Sequence, residues 1–188
     1  MRSDQDLGLT IHHSSIWRPL FGVAGQGSPN DSRSIAGLRT TLEEQGAIAA
    51  FVASGSQSSG LAAWAALHVG EDDRPTREGL LREALAASST CLGPPSVATL
   101  GTQLGSAHRI QAIRLVPLPG LSCPAAMGQV TWTWLRADTS TRVTLIAEAP
   151  FPHPFSEVVT LMDELARGLS WRPTNGPSSD TTPEKAEP

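Results

Sequence analysis

Apolar and polar positions alternate most regularly at residues 129–137, where Val130, Trp132 and Trp134 share one parity and Thr131 and Thr133 the other. A period of two marks a half-buried strand, because successive side chains point to opposite faces of a sheet. Residues 142–149 repeat it, with Val143, Leu145 and Ala147 set against Thr144, Ile146 and Glu148. The turn at 138–141 between them predicts an antiparallel hairpin. Shorter strands are predicted at 97–104, interrupted by Gly101, and at 108–116. At the start of the chain Leu7, Leu9 and Ile11 oppose Thr10 and His12, which predicts a first strand over residues 6–17. Pro19, Gly22, Gly25, Gly27 and Pro29 then break the pattern into a loop.

Elsewhere the apolar spacing is three and four, the period of an amphipathic helix. Ile35, Leu38 and Leu42 form such a stripe in residues 33–45, Leu80, Leu81 and Leu85 in 77–87. A third stripe, Val158, Leu161, Met162, Leu165 and Leu169, follows Ser156, which has the side-chain oxygen of an N-cap, and runs to the neighbourhood of Trp171. Residues 47–53 and 61–69 are rich in alanine. A helix running from 33 to 52 would have to carry Gly46 in its interior, at about 1 kcal/mol relative to alanine. Gly46 is better placed as a C-cap, and Ile48, Phe51 and Val52 then belong to a strand that pairs with 61–69 through the turn SGSQSSG at 54–60.

These elements define an α+β fold: a mostly antiparallel sheet of about five or six strands with three helices, the last packed across the sheet. A single domain is expected over residues 1–171. The remainder, RPTNGPSSDTTPEKAEP, has no large apolar side chain and four prolines, so nothing in it offsets the entropy of ordering; residues 172–188 are expected to be a disordered tail.

Composition changes this picture little but narrows the chemistry. A chain of 188 residues that is 39% hydrophobic holds a core without metal or disulfide staples, and 17% charged residues leave an unusually neutral surface. The net charge of −4 and the scatter of arginines give no footprint for a phosphate backbone, so no nucleic-acid partner is expected. The first ten residues, MRSDQDLGLT, lack the apolar core of a signal peptide, and the longest wholly apolar run, 61–67, is far short of the ~20 residues a spanning helix needs. No membrane partner and a cytoplasmic location are expected. Cys91 and Cys123 fit no metal-ligand spacing and are expected to be free thiols.

Catalytic signatures fail one after another. Lys185 is the sole lysine and sits in the tail, so neither a phosphate-binding loop lysine nor a Schiff base is available. GVAGQG at 22–27 is not a dinucleotide fingerprint, GSQSSG at 55–60 is not a nucleophile elbow, and there is no tyrosine. Among five histidines none is spaced for metal, although His68 and His108 are both on predicted strands and can meet across them; Glu71, Asp72 and Asp73 read as a solvated cluster before a helix. No cofactor, metal or catalytic residue is expected. Four residues remain as candidates for a ligand or partner surface: Arg109 and Arg114, able to read an anion, and Trp132 and Trp134, able to stack on a planar group or simply to pack.

LGSAHRI at 104–110 and LIAEAPFPHPFSEVVTLMDELARGLSW at 145–171 together resemble the C-terminal stretch of a group of small uncharacterised actinobacterial proteins, in a layout similar to PsbP-like α+β domains. The resemblance covers about residues 97–171 and implies a protein-binding or accessory role. The expected function is therefore that of a non-catalytic accessory protein that engages a protein partner through a sheet edge, the Trp-bearing sheet face or the tail. The alternative is a small-molecule binder or enzyme with a pocket between the sheet and the C-terminal helix.

Overall fold

The computed structural model describes residues 8–22, 33–54, 61–71, 76–86, 91–117, 123–136, 140–152 and 155–171. The expected tail at 172–188, most of the glycine-rich stretch at 22–27, the loop at 55–60, Asp72 and Asp73 lie outside the described residues. Within them are nine strands, β1 (Leu9–Ile11), β2 (Trp17–Phe21), β3 (Ala49–Ser54), β4 (Leu61–Glu71), β5 (Ser96–Thr102), β6 (Gly105–Val116), β7 (Ala125–Arg136), β8 (Thr141–Pro150) and β9 (Leu169–Trp171). Three helices interleave with them, α1 (Arg33–Glu44), α2 (Arg77–Ala86) and α3 (Phe155–Arg167).

The fold is the predicted α+β class, but its sheet is larger than expected. Seven strands in the order β2-β3-β4-β8-β7-β6-β5 form one antiparallel sheet, and β1 and β9 form a separate pair. Two expectations are corrected here. Residues 6–17 are not one strand: the alternation of Leu9 and Ile11 belongs to β1, while Trp17 opens β2 and pairs with Ala53. The last helix does not reach Trp171 either. It ends at Arg167, and Leu169–Trp171 returns as β9 against β1, with the His12 N–H donating to the Gly168 carbonyl. A side chain at position 168 would overlap the backbone carbonyl of His12, so glycine lets the strand come close where the helix stops.

Local chemistry accounts for the elements that were foreseen. Gly46 has φ +79°, and its N–H and that of Ala47 donate to the carbonyls of Glu43 and Leu42, the paired bonds of a Schellman cap. The chain is thus turned out of α1 and into the alanine-rich hairpin of β3 and β4. Those strands run against alanine's weak β propensity, but Ala49, Ala50, Ala53, Ala63, Ala65 and Ala66 are all buried, and burial between layers outweighs propensity.

The alternation of each strand sorts its side chains into two layers. On one face Phe51, Leu67, Val130, Trp132, Trp134 and Leu145 meet Val158, Met162 and Leu165 of α3 in the main core. On the other, Ala50, Val52 and Ala66 pack with Leu20 and with Leu42 of α1. Helix α2 covers a further part of this second face, where Leu80 is buried.

Candidate functional site

The four candidate residues divide between the two faces. Arg109, on β6, donates from Nε to Oδ1 of Asp163 on α3 at 2.8 Å, and the same oxygen accepts the Trp132 indole N–H at 3.1 Å. The Trp134 indole N–H donates to the Thr102 hydroxyl at 2.8 Å, and that hydroxyl donates onward to the Gly105 carbonyl. Both tryptophans are fully buried. Each ring therefore contributes apolar area to the core while its one polar atom is satisfied, the arrangement a buried indole requires. Arg109, Trp132 and Trp134 thus lock α3 and the end of β5 onto the sheet, and the Trp-bearing face is covered by α3.

Arg114 is on the opposite face. It lines a cavity of about 160 Å³ between α2 and the sheet, with Leu80, Pro95, Ile110 and Ala112 as apolar wall and Gln129, Thr131 and Thr133 as polar floor. Arg142 borders it as well, held by a bidentate pair with Glu83 of α2 at 3.2 and 2.8 Å. Arg114 has only a long contact, 3.5 Å, from Nη1 to the Gln129 amide oxygen, and its buried Nε has no hydrogen-bond partner among the described residues. Gln129 donates in turn to Glu148 at 2.6 Å. Burial raises the Glu148 carboxyl above its ordinary value, and the Gln129 hydrogen bond and the Arg114 charge pull the other way. The cavity lies on the face away from α3, not between the sheet and the C-terminal helix.

His68 and His108 share this face but do not meet. His68 faces Thr144, Thr144 faces Thr133, and Thr133 faces His108, so two strands separate them. Burial lowers the pKa of His68. Among the described residues no three His, Cys, Asp or Glu side chains group as a metal site, and no helix is long and apolar enough to cross a membrane. Among the described residues neither Cys91 nor Cys123 forms a disulfide.

The two ends of the sheet differ in a way that spacing alone did not reveal. At one end β2 carries Pro19 in its middle and a register shift between Pro19 and Phe21. Proline withholds a backbone donor and a bulge bends the strand, both of which discourage further pairing. At the other end β5 reads SVATLGT: seven residues without a charge or a proline, the first four exposed, paired along their whole length with β6 and, among the described residues, with no strand on the other side. Its uncharged run was visible in the sequence, but its place at the sheet edge was not. No protein-family model matches the chain and no curated protein shows a significant match, so function must be read from this geometry.

Proposed function

We propose that the protein is a non-catalytic accessory protein of the cytoplasm that binds a protein partner by strand addition at β5. The observation that carries this reading is the asymmetry of the two edges: β2 has proline and a bulge, and β5 has neither, nor any charge. An edge strand presents a row of backbone donors and acceptors, and an extended peptide that pairs with it gains main-chain hydrogen bonds while side-chain contacts set specificity. Of the surfaces considered from sequence, the tryptophan face is covered by α3, which favours the edge.

The occupant that fits is an extended, uncharged partner segment of about seven residues. On one face it would lie beside Val97 and Thr99, and on the other beside Ala98 and Leu100, the alternation set by the pairing of Val97 with Ile110 and Ala98 with Arg109. Lysine at an edge opposes such pairing. A Val97→Lys, Thr99→Lys double variant is expected to lose at least about tenfold in affinity for a partner captured by the wild-type chain, with thermal stability unchanged within about 0.5 kcal/mol. Retained affinity would overturn the proposal.

A further inference from the structure

Independently of the β5 edge, we infer that the cavity between α2 and the sheet is a binding site for a small monocarboxylate with an apolar body, its carboxylate taken by Arg114. Three features select that chemistry. The first is size: a cavity of about 160 Å³ is close to the ~150 Å³ that accommodates benzene in a protein interior, so it has room for an apolar body of about six carbons. The second is the lining, in which Leu80, Pro95, Ile110 and Ala112 offer contact to carbon while the Thr131 and Thr133 positions make the floor polar.

The third feature is the state of the cations. A guanidinium has five N–H donors in a planar fork matched to a carboxylate. Arg142 already uses its fork on both oxygens of Glu83. Among the described residues, Arg114 has one long bond to a neutral amide and a buried Nε without a hydrogen-bond partner. An unsatisfied buried donor is costly, and a ligand oxygen relieves that cost. With Glu148 joined to Arg114 through Gln129, the described residues around the cavity hold one unmatched cation at most, which suits a single negative charge better than a phosphate dianion.

Benzoate is the probe of the right size and charge, and benzamide is its neutral counterpart. Titration of the full chain by isothermal calorimetry, with two-dimensional amide NMR to locate the site, is expected to show benzoate binding at least about tenfold more tightly than benzamide, with shifts at residues 110–114 and 129–133. Arg114→Met is expected to bring benzoate down to the level of benzamide. Ala112→Leu, which keeps the arginine and fills the cavity, is expected to abolish binding of both, and it decides the matter should the Arg114 variant not fold. Equal affinity for benzoate and benzamide, binding unchanged in folded Ala112→Leu, or no shifts in the wild-type cavity would each overturn the assignment.

Discussion

At the scale of single residues, Asp163 and Glu148 have opposite parts. Asp163 accepts from both Arg109 and Trp132 on one oxygen, so its loss leaves a half-buried cation and a buried indole N–H without their acceptor. Asp163→Ala is expected to destabilise the fold by about 2–3 kcal/mol in urea denaturation, and Arg109→Ala by less, because the indole keeps its acceptor. Glu148 works the other way. Its folded pKa is raised above the ordinary 4.5, so in the window from about that value up to the folded pKa the native state binds more protons than the unfolded chain. Stability contributed by the protonated carboxyl is present at the acid end and lost as pH rises through the folded pKa. The stability of the wild type relative to Glu148→Gln is therefore expected to fall as pH rises through that window, and to be flat above it. A difference that grows with pH would contradict the burial argument.

At the scale of elements, the fold was legible wherever a local signal and a burial pattern agreed. The hairpin of β7 and β8 has its alternation written in Val130, Trp132 and Trp134 against Val143, Leu145 and Ala147, and their register pairs Trp132 with Leu145. Gly46 separates α1 from an alanine-rich strand that propensity alone would have made helical. Gly46→Ala is expected to cost about 1–2 kcal/mol by chemical denaturation, since alanine at φ +79° is strained although the space beside it is open. What escaped was non-local. β1 and β9 are three residues each and exist through their pairing with one another, 160 positions apart at Thr10 and Ser170. No local periodicity distinguishes such a pair from the end of a longer strand or helix. The candidate residues follow the same rule: strand parity fixed that Trp132 and Trp134 share a face, but Asp163, which receives Arg109 and Trp132, lies on another element.

At the scale of the whole molecule, the sheet separates two faces and two edges with different chemistry. One face is sealed by α3 over the tryptophans, and the other holds α1, α2 and the cavity at Arg114. One edge is blunted by Pro19, while β5 keeps an uncharged backbone edge that no described element pairs with. The proposed partner binding is placed at an end of the sheet and the proposed ligand binding on a face, so each is removable without the other. Strand addition at β5 is tested most directly by a photo-crosslinking residue placed at Val97, which is 40% exposed, with a control at Phe21 on the β2 edge. Irradiation in native lysate is expected to give a discrete adduct with another protein from position 97, mapped to one extended uncharged segment, and none from position 21. No adduct from position 97, an adduct with a second copy of this chain alone, or equal labelling from both edges would contradict the account.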